Sequence, residues 1–228
     1  MGFGKLTAYL QNNQKMALLA FVSASAMSLL AFRMVLGHNW DFLFLAWNLF
    51  LAWTPLFFAK LVWEREMIRP TQNWLLSICF FAWLLFFPNA PYIITDLKHL
   101  RTVPADMVWY DSIMIFTFAV SGFLAGLYSI RIVYRIASIR WNQHTTWLII
   151  ASSMVMSGFG IFLGRFGRWN SWDIITNPYA LTQGIFQSLQ NPLAIKHTLV
   201  FSFVLMLLYF AFHFFAELKP HESSRKYS

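Results

Sequence analysis

Long apolar stretches alternate with short polar segments along the whole chain. A helix needs about 20 consecutive, predominantly apolar residues to cross the hydrocarbon core of a bilayer. Six stretches have that length, and they predict an all-α, polytopic transmembrane helix bundle that forms a single membrane domain over residues 1–228. The predicted spans are 16–36, 41–63, 73–94, 111–134, 147–166 and 196–217.

The segment between the fifth and sixth spans, residues 174–195, has a different pattern. Asn177 followed by Pro178 is typical of a helix start. One face of the following helix is apolar, and the glutamines of the segment lie off it. We therefore predict a short interfacial helix, either a lid or a passive surface element. The apolar face consists of Leu181, Ile185, Phe186 and Leu189.

The composition excludes a soluble protein, because 58% of the residues are hydrophobic and only 11% are charged. A net charge of +8 suggests nucleic-acid binding in a soluble chain, but here the basic residues cluster at the ends of the apolar runs. We predict a lipid bilayer and no nucleic acid as partner; protein partners are not identified. The lone Cys79 excludes an intramolecular disulfide.

Lys and Arg residues predict the orientation, because they concentrate in cytoplasmic segments. With the N-terminus inside, the inner segments carry 11 of them and the outer segments carry 6. Both termini are therefore expected in the cytoplasm, with residues 218–228 as a basic cytoplasmic tail and the inner (plasma) membrane as the location. The six outer residues are Arg33, Lys98, Arg101, Arg165, Arg168 and Lys196.

The third span is interrupted near its outer end. Only 14 residues run from Trp74 to Phe87 before Pro88, and a straight helix of that length covers about 21 Å. Pro88 and Pro91 are each expected to push the preceding residue out of the α region. Two readings stay open: residues 89–95 line an interior depression on the outer side, or Pro88 ends a helix that begins nearer Met67.

Two features of the neighbouring spans bear on this break. Asn48, in the outer half of span two, needs a hydrogen-bond partner from another helix or from the backbone of residues 88–91. Spans four and five carry glycine pairs four residues apart, which predict a tight contact between these two helices. That contact would bring residues 109–111 beside residues 164–166. The glycines are Gly122, Gly126, Gly160 and Gly164.

Two arginines at the outer end of span five oppose the charge bias, so they need carboxylates or an anionic ligand as partners. They are Arg165 and Arg168, and the candidate carboxylates are Asp96, Asp111 and Asp173. A purely structural ion-paired helix end with an aromatic belt is the alternative interpretation.

The predicted site lies on the outer face, with no metal site and no identified cofactor. Its candidate ligand-binding residues are Asn89, Asp96, Trp109, Asp111, Arg165, Arg168, Trp169, Asn170 and Asp173. The candidates for a general base are Asp96, His99 and Asp111.

Four motifs carry a family resemblance: WNLFLAW (47–53), FPNAPYIITDLKHL (87–100), WYD (109–111) and GRFGRWNSWD (164–173). In this order and spacing they resemble the bacterial integral-membrane family called domain of unknown function 1361, over about residues 40–215. The resemblance implies a multi-pass bacterial membrane protein, and it brings no activity, substrate or cofactor.

Three functions remain open from the sequence. The outer site binds or processes an anionic lipid or lipid-linked headgroup, with a reaction class that stays open. Alternatively, the broken third span belongs to a small transporter or channel. A non-catalytic assembly protein that binds another membrane component through its Trp-rich faces is the third.

Overall fold

The computed structural model describes residues 3–37, 40–70 and 72–217, so the predicted basic tail, 218–228, lies outside the described residues. The described part is built from helices joined by short turns, with no strand. The helices are α1 Phe3–Gly37, α2 Phe44–Ile68, α3 Asn73–Phe86, α4 Asn89–Tyr92, a 3₁₀ helix Ile93–Thr102, α5 Val108–Arg140, α6 Gln143–Phe166, α7 Asp173–Thr176, α8 Pro178–Leu189 and α9 Pro192–Glu217.

Six segments of the described chain are long and apolar enough to cross a membrane, which confirms the predicted number of spans. The third of these comprises α3, α4 and the 3₁₀ helix together. The six segments are Gln14–Leu36, Phe44–Ile68, Asn73–Thr102, Val108–Arg140, Gln143–Phe166 and Pro192–Phe215. The short helix predicted between spans five and six is α8, which has no buried residue.

Helix α5 occupies the centre of the bundle. It contacts α1, α2, α4 and the 3₁₀ helix, and 67% of the residues in its most apolar 18-residue stretch are buried inside the protein. Helix α9 is peripheral and packs mainly on α6. Only 17% of the residues in its most apolar 18-residue stretch are buried. Many of its other apolar side chains are exposed, as expected of a helix whose outer surface contacts lipid.

The third span is interrupted as predicted, but its backbone stays helical. Helix α3 ends at Phe86, a turn follows, and α4 begins at Asn89. Phe87 keeps right-handed helical angles, φ −56° and ψ −37°, so the prediction that Pro88 displaces its predecessor from the α region is wrong. Because α3 begins at Asn73, the alternative of a helix starting near Met67 is wrong as well.

Residues 87–93, here called the inserted segment, lie between other helices rather than along an open depression. Phe87 is buried, and Ala90 and Ile93 are fully buried. The interruption between α3 and α4 is therefore covered by protein, which is the condition for tolerating a break in a helix at membrane depth.

The two glycine pairs make room for the inserted segment. A Cβ on Gly126 would lie 2.8 Å from Ala90 Cβ, and one on Gly160 would lie 2.7 Å from Pro88 Cγ. The predicted glycine contact between α5 and α6 is thus wrong, because the glycine faces receive the segment from both sides. The other two glycines behave alike: Gly122 faces Ala90 and Ile93, and Gly164 faces Tyr92.

Candidate functional site

The candidate residues gather at one end of the bundle, which we call the site end and define by residues 40–48, 93–111 and 164–196. Its centre is an ion pair between the 3₁₀ helix and the last turn of α6. Arg165 Nη2 lies 2.5 Å from Asp96 Oδ1, and the two side chains are 9% and 2% exposed. Asn48 Nδ2 of α2 donates to Asp96 Oδ2 at 2.8 Å. One carboxylate therefore links three spans, and the partner expected for Asn48 from another helix is confirmed.

Arg165 is also held by its other neighbours. Its Nε donates to Thr95 Oγ1 at 2.8 Å, and its Nη2 donates to the same oxygen. The guanidinium carbon lies 4.6 Å from the centroid of the Tyr92 ring, a cation–π arrangement. The charge of Arg165, one of the two arginines that oppose the charge bias, is thus compensated inside the protein.

A second buried ion pair joins α1 to α5. Arg33 Nε and Nη2 donate to the two oxygens of Asp111 at 2.6 and 3.2 Å, and Asp111 is fully buried. Residues 109–111 consequently pack against α1 instead of meeting residues 164–166 as predicted. The sequence reasoning missed Arg33 as a site residue, although an arginine inside a membrane span is itself a signal of a buried partner.

The two buried ion pairs occupy two of the residues predicted as candidate general bases. Asp96 and Asp111, two of the three candidate bases, each accept hydrogen bonds on both oxygens. Both carboxylates are therefore fully engaged by buried ion pairs. His99, the third candidate, is half-buried, with its ring 4.8 Å from that of Phe44.

Arg168 differs from Arg165. It is exposed, and its φ of 58° lies in the left-handed region that residues other than glycine rarely adopt. Two contacts of Trp169 hold this turn in place. Its backbone N–H donates to Leu163 O at 3.2 Å, and its indole contacts Gly184 of α8. A Cβ on Gly184 would lie 2.6 Å from the indole nitrogen. Local packing therefore maintains a strained backbone that presents the Arg168 side chain outward.

The 3₁₀ helix carries two exposed basic residues, Lys98 and Arg101. The charged neighbours of Lys98 are Arg165, Asp96 and Arg168. Among the described residues, neither Lys98 nor Arg168 forms an ion pair or a hydrogen bond through its side chain. Lys98 and Arg168 thus face outward at the site end without a carboxylate on either, and so does Arg101.

The other candidates mainly build the loop after α6. Asn89 Nδ2 donates to Phe86 O at 2.9 Å and to Ser171 Oγ at 3.1 Å. Asp173 Oδ2 accepts from the Asn170 N–H at 2.7 Å. Trp109 is exposed and contacts the Tyr110 ring.

A pocket of about 320 Å³ opens at the site end next to the Arg33–Asp111 pair. We call it the polar pocket. It is lined by Arg33, Asp41, Phe42, Phe44, His99, Thr102, Val103, Pro104, Asp106 and Met107. Over the described part of the chain, no three His, Cys, Asp or Glu side chains are placed to hold a metal ion.

Comparison with known proteins gives one match. The profile of the family described as protein of unknown function, DUF1361, matches residues 47–208 of the 228. No curated protein matches the chain, and no solved structure matches it. The matched range includes Asp96, Asp111, Arg165 and Arg168, and it leaves out Arg33.

Proposed function

Since the chain belongs to DUF1361, a family of proteins of unknown function, we propose a function from its own side chains: the site end binds the phosphate of an anionic lipid headgroup through Lys98 and Arg168. The observation that carries the proposal is the pair of exposed cations beside a closed ion pair. Arg165 is neutralised by Asp96, while Lys98 and Arg168 have no described carboxylate partner.

The backbone of Arg168 supports this assignment. A left-handed conformation costs a non-glycine residue about 1–2 kcal/mol. Trp169 maintains it through its backbone bond to Leu163 and its indole contact with Gly184. Such strain is characteristic of positions where a side chain is aimed at a ligand.

The depth of the two cations fits a headgroup. From Asn73 to Tyr92 the third span has about 20 residues, which at 1.5 Å each cover about 30 Å, the thickness of the hydrocarbon core. Lys98 follows this stretch, which supports a position near the headgroups. Exposed tryptophans at the same end, Trp40, Trp47 and Trp109, suit the interface between lipid and water.

The predicted orientation indicates which leaflet of the membrane supplies the headgroup. With both termini in the cytoplasm, the site end faces outward from the inner membrane, and the headgroup belongs to the outer leaflet. A transporter is less well supported, because the inserted segment is buried against glycine faces rather than lining a passage.

The test is native mass spectrometry of the detergent-purified protein titrated with phosphatidylglycerol or with phosphatidylcholine. We expect tighter binding of phosphatidylglycerol, and a loss of about fivefold in each of Lys98→Gln and Arg168→Gln, since one basic residue near anionic lipid contributes about 1 kcal/mol. The effect should shrink as salt is added.

Lys196→Gln is the matched control. Lys196 is also an exposed cation at the site end, at the start of α9, and we expect its replacement to leave the titration unchanged. Equal binding of the two lipids by the wild type would refute the proposal. So would an equal loss in Lys196→Gln and Arg168→Gln, because it would indicate general attraction to the positive surface.

A further inference from the structure

We propose that a cavity at the end of the bundle opposite the site end binds one acyl chain of a membrane phospholipid. The cavity has a volume of about 300 Å³ and lies between α2, α3, α5 and α6; we call it the chain cavity. Its lining is aliphatic and aromatic except for Asn73, Ser77 and Cys79. Volume and lining are typical of a site for an apolar ligand. The inference goes beyond the proposed function, since it concerns other residues and the hydrocarbon part of a lipid.

The chain cavity continues the gap between α5 and α6 that the inserted segment occupies nearer the site end. There, Gly126 of α5 and Gly160 of α6 contact the inserted segment. Further along the same two helices, Ala137 and Ile149 line the cavity, and no residue of the inserted segment belongs to the lining. Helix α3 packs mainly on α2 and makes few contacts with α6, so it covers this part of the gap without filling it. The interrupted third span therefore leaves room between α5 and α6.

The depth of the chain cavity matches one leaflet of a bilayer. Asn73 lines it at the start of α3, and Trp83 lines it further along the same helix. The ten steps from residue 73 to residue 83, at about 1.5 Å each, cover about 15 Å, half of the roughly 30 Å hydrocarbon core. The floor is fixed in place, because Trp83 is 1% exposed and its indole N–H donates to Ser129 Oγ at 3.1 Å.

The size of the cavity also fits a single acyl chain. A zigzag of carbon–carbon bonds of about 1.5 Å advances about 1.25 Å per carbon, so about 12 carbons extend over about 15 Å. A methylene group has about the size of a water molecule, which occupies about 30 Å³ in the liquid. A cavity of about 300 Å³ consequently holds about ten carbons. Length and volume thus agree on most of one phospholipid chain.

The mouth of the cavity, formed by Asn73 and Trp141, lies among polar and interfacial side chains. Arg140 donates to both carboxylate oxygens of Glu66 at 2.8 Å, and its Nη1 lies 3.5 Å from Asn73 Oδ1. Trp141 is 46% exposed, and exposed tryptophans suit the boundary between lipid and water. A chain that enters here leaves its ester and phosphate groups beside polar side chains.

Hydrocarbon is a better occupant of this cavity than water or empty space. Cavities lined by apolar side chains stay dry, and an unfilled cavity loses the van der Waals contacts of its lining. Ser77 and Phe81 line the cavity and are exposed, so it opens toward the surface of α3, where the bilayer supplies acyl chains. A chain in the bilayer is already out of water, and contacts with the cavity wall therefore provide the gain on entry.

Cys79 reports on the cavity, because it is the only cysteine of the chain and belongs to the lining. The experiment measures its rate of reaction with N-ethylmaleimide in detergent, after native mass spectrometry has verified that lipid was removed. Dimyristoylphosphatidylcholine at ten times its dissociation constant should slow labelling about tenfold, since about one site in 11 stays empty. Dihexanoylphosphatidylcholine should protect much less, because its chains end before the depth of Cys79.

Leu148→Cys in a Cys79→Ala background is the matched control. Leu148 is 69% exposed and lies on α6 at a similar distance from the start of its helix. We expect both lipids to change its labelling by the same small factor. Equal protection of Cys79 and of Leu148→Cys would overturn the inference, because it would indicate general shielding by lipid. Absence of reaction at Cys79 after lipid removal would also overturn it, since an open cavity admits the reagent.

A second variant tests the opening without depending on the reaction at Cys79. Ser77→Phe places a ring at the exposed edge of the cavity, and we expect it to weaken binding of dimyristoylphosphatidylcholine at least fivefold in native mass spectrometry. Ile78→Phe is its control, because Ile78 is the exposed neighbour outside the lining. Equal binding by the two variants would contradict a chain in the cavity.

Two further arms identify the occupant and separate this inference from the proposed function. A polyisoprenyl phosphate that protects Cys79 better than dimyristoylphosphatidylcholine would overturn the assignment of an unbranched acyl chain. Arg168→Gln should leave the protection of Cys79 unchanged, because Arg168 is at the opposite end of the bundle. A failure of headgroup binding at Arg168 would therefore leave the result at Cys79 intact, whereas loss of protection in Arg168→Gln would refute an independent chain site.

Discussion

Removing the Asp96 carboxylate should destabilise the bundle by about 4 kcal/mol. Asp96 and Arg165 lie 2.5 Å apart, at exposures of 2% and 9%. Two charges about 4 Å apart attract by about 4 kcal/mol at an effective dielectric constant of about 20. Truncating one partner of a buried pair costs about 3–5 kcal/mol, because the other charge stays buried.

Two local contacts adjust this value in Asp96→Ala. The Asn48 amide loses its acceptor, which adds about 1 kcal/mol. Thr95 Oγ1 continues to accept from Arg165, and the Tyr92 ring still faces the guanidinium, so part of the charge remains compensated. These contributions oppose each other, and the expected total stays near 4 kcal/mol.

The assay is reversible unfolding in mixed micelles with increasing dodecyl sulfate, arranged as a double-mutant cycle with Arg165→Met. We expect the double variant to be more stable than Asp96→Ala alone, because it leaves no uncompensated charge. Asp173→Ala is the control: this carboxylate bonds only to Asn170 N and Thr176 Oγ1 among the described residues, so we expect a loss within about 1 kcal/mol.

The cycle can refute the reasoning in two ways. A loss in Asp96→Ala of less than about 1 kcal/mol would mean that water or lipid phosphate reaches Arg165 and screens the pair. Strict additivity of Asp96→Ala and Arg165→Met would show that the two side chains do not stabilise each other.

Two further predictions concern the packing and the orientation. Gly160→Ala should destabilise by about 1–3 kcal/mol, because the new Cβ would lie 2.7 Å from a proline ring carbon of the inserted segment. Thermal denaturation in detergent measures it, with Ser152→Ala on the exposed side of the same helix expected to be neutral; an equally neutral Gly160→Ala would contradict the packing. A Cys79→Ala background lacks cysteine, so Ala105→Cys should react with an impermeant maleimide in intact cells, and Asn142→Cys only after permeabilisation. The reverse labelling pattern would invert the predicted topology.

The spans and one ion pair follow from the sequence, because each depends on a local signal. Apolar length alone indicates six crossings, and the described helices agree with it. An arginine on the less basic side of a membrane protein needs compensation, and this reasoning named Asp96 as a candidate partner for Arg165, the pair that the structure contains.

The rest of the site depends on which helices are neighbours. Arg33 and Asp111 are 78 residues apart, and nothing local to either shows that α1 lies against α5. The glycine pairs show that something approaches closely, without showing what. Small residues beside a proline-containing turn and small residues beside a straight helix have the same sequence pattern. Direct helix contact was therefore predicted where the inserted segment lies.

The helix type after the inserted segment determines which side chains can act together. At about 100° per residue, an α-helix would place Lys98 and Thr102 within about 40° of each other, so these two side chains would share one direction. At about 120° per residue, the 3₁₀ helix separates Asp96, His99 and Thr102 from Thr95, Lys98 and Arg101. Arg165 reaches the first member of both rows, Asp96 and Thr95, and thereby fixes their rotation. The buried ion pair thus holds both rows of the 3₁₀ helix in a fixed rotation relative to α6.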